Sequence, residues 1–104
     1  MNTDGINNTY IGSNAHGTAS LINATAIGAD AVVGQSNSLV LGVFNTKVGI
    51  GTIAPNAKLQ VTFGDVYVET QGTGIILRAT TGANCFRVTV DNVGTLLTAP
   101  VACP

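Results

Sequence analysis

The two cysteines of this 104-residue chain, Cys85 and Cys103, both lie near its C-terminus. Two cysteines at the end of a short, strand-rich chain predict one disulfide, and a pair of buried free thiols is the alternative. In the chain-entropy model, closing a loop of this length stabilises a fold by about 3 kcal/mol. Because no CxxC pair or Cys/His cluster accompanies them, we do not expect a zinc site.

The single histidine, His16, lies in an Ala-His-Gly step of the sequence. Nucleophilic catalysis needs a base beside the nucleophile, and no partner residue for such a pair is spaced near His16. We therefore expect a solvent-facing or corner residue. The alternative is that three copies of His16 meet on the axis of a trimer and bind a metal or an anion.

The remaining residue pairs do not predict catalysis. Asp65 and Glu69 are four residues apart, which is about 13 Å along a strand and too far for the carboxylate pair of a glycosidase. Residues 49–51 read GIG, but the third glycine and the helix of a dinucleotide loop are missing. We expect a protein that is not an enzyme and that holds no cofactor.

Two tyrosines, Tyr10 and Tyr67, are the candidate ligand contacts. Tyrosine is enriched at binding surfaces, and its ring presents a large amphipathic face. The alternative for each is packing within the fold.

The composition bounds the classes of partner. Charged residues make up 9% of the chain and the net charge is −1, whereas average globular proteins are roughly 25% charged. The four cations are scattered, so neither nucleic acid nor a membrane surface is expected as a partner. No apolar run reaches the roughly 20 residues of a membrane span, and the first residues do not read as a signal peptide. We therefore expect a fragment, or export by another route.

The elements that position these residues begin with a repeat. Residues 7–12 (NNTYIG), 23–28 (NATAIG) and 37–42 (NSLVLG) correspond, at spacings of 16 and then 14 residues. This period fits one coil of a β-solenoid with two short strands and two tight corners, where glycine and asparagine supply positive φ. The sequence predicts a stack of asparagines and an inward core ladder of Ile11, Ile27 and Leu41. Three such coils have a thin core and open edges, which favours association of several chains.

The second half predicts consecutive strands at residues 58–62, 65–70, 75–80, 85–90 and 95–98, separated by turns. We place β-roll repeats at residues 1–46, a junction at 47–57 and a C-terminal β module at 58–104. The fold class is therefore all-β, with N-terminal parallel β-roll or solenoid repeats and a C-terminal antiparallel meander.

Three stretches carry a family resemblance. The Asn-x-x-Ala-Ile-Gly units resemble the head repeats of trimeric autotransporter adhesins, which form left-handed parallel β-rolls. Residues 48–61 (VGIGTIAPNAKLQV) look like the VGIGT-x-x-P-x-x-K-L-x-V junction of bacterial and phage fibre proteins. Residues 85–90 (CFRVTV) and 101–104 (VACP) are similar to the end modules of long surface and tail-fibre proteins.

The resemblance covers nearly the whole chain, although it includes no membrane anchor, long coiled-coil stalk or self-cleaving chaperone module. It implies a homotrimeric, extracellular fibre, on a cell surface or a phage-like particle, that binds a cell-surface glycan or protein. The alternative is a filament-forming structural subunit without a receptor.

Overall fold

The computed structural model describes residues 5–104, and this part of the chain is all-β, without a helix. The strands of the described residues, in chain order, are β1 Thr9–Ile11, β2 His16–Gly17, β3 Thr25–Ile27, β4 Val32–Val33, β5 Leu39–Leu41, β6 Val48–Ile50, β7 Leu59–Val61, β8 Ile75–Arg78, β9 Cys85–Val90 and β10 Leu96–Val101. The all-β class predicted from the sequence is confirmed.

The chain packs as two compact units, of which the first ends at Asp65 and the second comprises Val66–Pro104. These are units of packing, and the functional division into residues 1–46, 47–57 and 58–104 stays a prediction.

In the first unit, the copies of the repeat pair strand on strand. β1, β3 and β5 form a parallel sheet in which Tyr10, Ala26 and Val40 lie opposite one another. β2 and β4 form a second parallel pair. The unequal spacing of the copies does not disturb the register, because the extra residues of the first repeat lie outside these paired strands.

The corners between these strands use the residues that the repeat predicts. Asn7, Asn23 and Asn37 all adopt left-handed backbone conformations, with φ of 58°, 55° and 57°. Their amides form a ladder: Asn7 Nδ2 donates to Asn23 Oδ1 at 3.4 Å, and Asn23 Nδ2 donates to Asn37 Oδ1 at 3.1 Å. Gly12 has φ of 131°, and a Cβ there would lie 2.6 Å from the carbonyl carbon of Gly28. The predicted asparagine stack is confirmed.

The core of the first unit is made of small residues between the two parallel sheets. Its buried residues are Leu21, Ala24, Ala26, Ala31 and Val33, with Tyr10 and Val40 packed against them. The interior is small, since each of these strands has two or three residues and one of them faces inward.

The predicted core ladder of Ile11, Ile27 and Leu41 requires a correction. These residues are in register with one another, but they point away from the interior and are 56%, 38% and 43% exposed. Neighbouring residues of a strand point to opposite faces, so the preceding residue of each strand faces inward instead. The inward residues are therefore Tyr10, Ala26 and Val40, of which Ala26 is fully buried.

Two predicted strands of the second half also differ from the structure. β7 is present, but it pairs in parallel with β6 and belongs to the first unit, not to the antiparallel meander. Residues 65–70 form no strand. A strand needs a partner for its backbone hydrogen bonds, and this segment, although rich in valine, pairs with none of the described strands.

The second unit is an antiparallel meander in the order β10-β9-β8, as predicted. Cys85 and Cys103 form a disulfide with a Cα–Cα distance of 5.2 Å, which excludes the alternative of free thiols. This bond attaches the chain beyond β10 to the start of β9. The turn between β9 and β10 is held by Asp91, whose Oδ1 accepts hydrogen bonds from the backbone N–H of Val93 and Thr95.

Candidate functional site

The outer face of the β1-β3-β5 sheet carries a continuous apolar surface. We call Ile11, Ile27 and Leu41 the apolar stripe, because the parallel register stacks them one above another. Strands in such a sheet are about 4.8 Å apart, so the three side chains contact one another along the stack. Leu39, two residues before Leu41 in β5, is exposed on the same face.

The physical character of the stripe makes it a candidate binding surface. Scattered exposed hydrophobic residues are normal, whereas a contiguous apolar patch marks a surface that another molecule covers. The stripe contains no group that can act as an acid, base or nucleophile, so its chemistry is limited to apolar association.

His16 lies on the other outer face of the first unit. It occupies β2, where its register partner Val32 is exposed, while the next residues of both strands, Gly17 and Val33, face the interior. Since the two sheets enclose the core between them, His16 and the apolar stripe point in opposite directions. The axis of a trimer therefore cannot lie against both His16 and the apolar stripe.

A small cavity adjoins His16. It has a volume of about 290 Å³ and is lined by Tyr10, Asn14, Ala15 and His16. The His16 Nδ1 lies 3.0 Å from the carbonyl oxygen of Asn14, and Asn14 Nδ2 donates to Asp30 Oδ1 at 3.0 Å. With Nδ1 donating to this carbonyl, Nε2 is left as an acceptor. The cavity offers an aromatic ring, an imidazole and an amide to a small polar ligand.

The two candidate tyrosines have different surroundings. Tyr10 is half-buried and packs against the core of the first unit. Tyr67 is exposed and lies in the irregular segment at the start of the second unit. Both stay candidates for ligand contact, and each belongs to its own unit.

The second unit has an apolar face of its own, which we call the apolar sheet face. In the antiparallel register of β8 and β9, Leu77 lies opposite Phe86 and Ile75 lies opposite Val88. The residues of this face are Ile75, Leu77, Phe86, Val88, Val90 and Leu96. The alternation of apolar and polar residues in the sequence predicts the side chains that β9 contributes to this face. Only the pairing of β9 with β8 and β10 extends them into a surface.

Charge is sparse around these surfaces. In the turn after β9, the hydrogen bond from the Thr95 backbone N–H holds the pKa of the Asp91 carboxyl below its usual value. Desolvation acts in the other direction, and the Val93 backbone N–H lowers the pKa further. Within residues 5–104, no group of three or more His, Cys, Asp or Glu side chains is placed to hold a metal ion.

Comparison with protein-family models, with curated proteins and with solved structures finds no match to this chain. The described part of the chain contains no helix that is long and apolar enough to cross a membrane. The Cys85–Cys103 disulfide indicates an oxidising environment such as the outside of a cell, because disulfides are rare where thiols are kept reduced.

Proposed function

We propose that this protein is a structural and adhesive segment of an extracellular trimeric fibre, a surface adhesin or a tail fibre. In this proposal the first unit is a β-solenoid, or β-roll, that associates side by side with two further copies through the apolar stripe. The function is adhesion to a cell-surface glycan or protein, and no catalytic role is proposed.

The exposure of the apolar stripe is the observation that carries the proposal. Ile27, at its centre, remains accessible to solvent although it lies in the middle strand of its sheet. The buried core behind it consists largely of alanine, so a single chain gains little hydrophobic stabilisation in the first unit. Burying the stripe supplies the missing stabilisation, at roughly 1.5–3 kcal/mol for each fully buried Leu or Ile side chain.

The number of copies rests on the resemblance to trimeric fibre proteins in the repeats, the junction and the end module. Side-by-side association also suits the chain electrostatically, because a net charge of −1 produces little repulsion between copies. Three identical weak sites on one particle bind a surface far more tightly than one site, by effective concentration alone.

Ligand contact is proposed at the cavity beside His16 and at Tyr67. His16, which lines the cavity, is on a different outer face from the stripe, so we expect association through the stripe to leave the cavity accessible. This placement is why His16 is not proposed as an axial metal ligand.

The test is the mass of the native particle, measured by light scattering with and without reductant. We expect a mass three times that of the 10.5 kDa chain, unchanged by reductant because the disulfide lies within each chain. Ile27→Asp should give the mass of a single chain, since it would bring three like charges together in an apolar contact.

The matched control is Val32→Asp. Val32 is also an exposed strand residue, but it lies on the opposite outer face, so this variant should keep the threefold mass. A wild-type protein with the mass of one chain, or equal dissociation of both variants, would refute the proposal.

A filament-forming subunit without a receptor is the second candidate. The observation that favours it is that β1 and β5 are the outer strands of their sheet, each with one edge that pairs with none of the described strands. Open edges promote end-to-end stacking. Electron microscopy at rising protein concentration separates the candidates: long filaments support this one, and short rods of fixed length support the adhesive fibre.

A further inference from the structure

We propose that the apolar sheet face of the second unit is a separate contact between copies of this chain, formed only when the first units already hold the copies together. The inference rests on the proposed self-association and adds a second interface to it. The contact would be made by Ile75, Leu77, Phe86, Val88, Val90 and Leu96 of each copy.

The first step is that this face lacks a covering layer. A three-stranded sheet needs an apolar layer against one face to be stable, and the second unit consists of a single sheet with irregular segments. Of the residues outside the strands, Val66 and Val68 lie beside one end of the face. The side chains at the strand ends stay open, as the 60% exposure of Ile75 and the 72% exposure of Leu96 illustrate.

The second step is the shape of the face. It contains two hollows, of about 380 Å³ and about 280 Å³, and Val88 lines both of them. Apolar side chains of a facing surface can fill such hollows, as they do between packed sheets. Among the residues that line the two hollows, Arg78 is the charged one, and it lies at the end of β8.

The third step is the identity of the occupant. A face with a single charged residue at its edge gives little electrostatic basis for selecting a charged partner, whereas the same face on another copy is matched in polarity and size. Copies tethered through the first units would present these faces to one another at an effective concentration in the millimolar range. Further copies of this chain are therefore the occupant that we propose.

The small area of the apolar sheet face explains why this contact should depend on association through the first unit. The usual transfer scale corresponds to roughly 60–120 Å² for a whole buried Val, Leu or Ile side chain. Six partly exposed side chains therefore supply a few hundred Å² at most, against about 800 Å² per partner in a stable interface. The face is large enough to reinforce an assembly and too small to create one.

The experiment compares Leu77→Asp with Leu97→Asp in the full chain. Leu77 lies on the apolar sheet face and is 55% exposed, while Leu97 points to the opposite face of the same sheet and is 45% exposed. We measure particle mass by light scattering and amide hydrogen exchange of β9 at concentrations at which wild type is assembled.

Leu77→Asp should keep the multi-chain mass but speed hydrogen exchange in β9 by at least about tenfold, because local opening no longer breaks an intermolecular contact. Leu97→Asp should exchange at close to the wild-type rate. Leu77→Thr, which introduces a β-branched side chain suited to a strand, should give an intermediate rate and guards against simple misfolding of the Asp variant.

Equal exchange rates in Leu77→Asp, Leu77→Thr and Leu97→Asp, with a multi-chain mass throughout, would overturn this inference and leave the proposed function standing. A wild-type protein with the mass of one chain would overturn both. The two failures are therefore distinguishable.

Discussion

At the scale of single residues, the first two repeats fill the same narrow interior in different ways. The first places Tyr10 against Gly17, and a Cβ on Gly17 would overlap the Tyr10 hydroxyl. The second places Ala26 and Val33 at the corresponding register positions. A large residue in one sheet is thus matched by a small one in the other, as close packing requires.

This size matching predicts a coupled pair of substitutions. Gly17→Val should destabilise the protein by about 1–3 kcal/mol, because it overpacks the space beside Tyr10. The double variant Tyr10→Ala/Gly17→Val, which recreates the pair of the second repeat, should be more stable than additivity predicts, by about 0.5–3 kcal/mol. Denaturant unfolding of the four proteins of the cycle, at one fixed concentration, measures this coupling.

The control for that cycle is Gly34→Ala. A Cβ on Gly34 would lie 4.0 Å from Thr18 Cγ2, which is an ordinary contact, so stability should change little. Strict additivity of the Tyr10 and Gly17 effects would show that the two residues are not packed against each other.

At the scale of elements, the corners keep the repeats in register. All three asparagines of the Asn7–Asn23–Asn37 ladder adopt a left-handed backbone conformation that most residues avoid, and the amides of the first two donate to the next corner. Asn8 adds a bond inside the stack, because its Oδ1 accepts from the Ala24 backbone N–H at 2.8 Å. Because the strands have only two or three residues each, the hydrogen bonds of the corners between them are the main interactions that hold them in register.

The ladder predicts different effects of two substitutions at its centre. Asn23→Gly should lose only the amide hydrogen bonds, about 0.5–1.5 kcal/mol, since glycine adopts positive φ freely. Asn23→Ala should cost about 1–2 kcal/mol more, because a Cβ is strained at this φ. Thermal unfolding at fixed concentration measures both.

Asn45→Ala serves as the control for the ladder, since Asn45 is exposed and does not have a positive φ. It should unfold at close to the wild-type temperature. Equal midpoints for the Gly and Ala variants at position 23 would contradict the role of backbone conformation at this corner.

At the scale of the whole molecule, the two units differ in the features that stabilise them. The first unit has a core of small residues and an exposed stripe, whereas the second has one sheet and a disulfide. Each unit therefore lacks something that an isolated globular domain has, and the association of copies that we propose would address both deficits.

The position of the disulfide predicts which unit is destabilised when the bond is lost. Replacing both Cys85 and Cys103 by serine should destabilise the second unit by about 3 kcal/mol, through the larger freedom of the unfolded loop. The mass of the particle should not change, because the contact that we propose as primary lies in the first unit. Hydrogen exchange resolved by unit, together with light scattering, tests this, and equal destabilisation of the first unit would be the contrary result.

Much of the fold follows from sequence because local chemistry decides it. The Asn and Gly residues at 14- to 16-residue spacing predict corners, since few other residues accept positive φ. Alternation of apolar and polar residues in 85–90 predicts a strand, and turn residues on both sides predict an antiparallel neighbour. The cysteine pair predicts a bond whose existence the structure then decides.

Tertiary structure alone determined which face of each strand is buried. The repeats contain apolar residues on both faces, as at Val40 and Leu41, so a period of two cannot distinguish the interior from the outer stripe. That choice depends on how the two sheets pack against each other, which buries Ala26 and leaves Ile27 38% exposed. The prediction that residues 59–61 join the antiparallel meander was wrong for a similar reason, because backbone pairing joins separate segments of the chain and no local pattern specifies the partner.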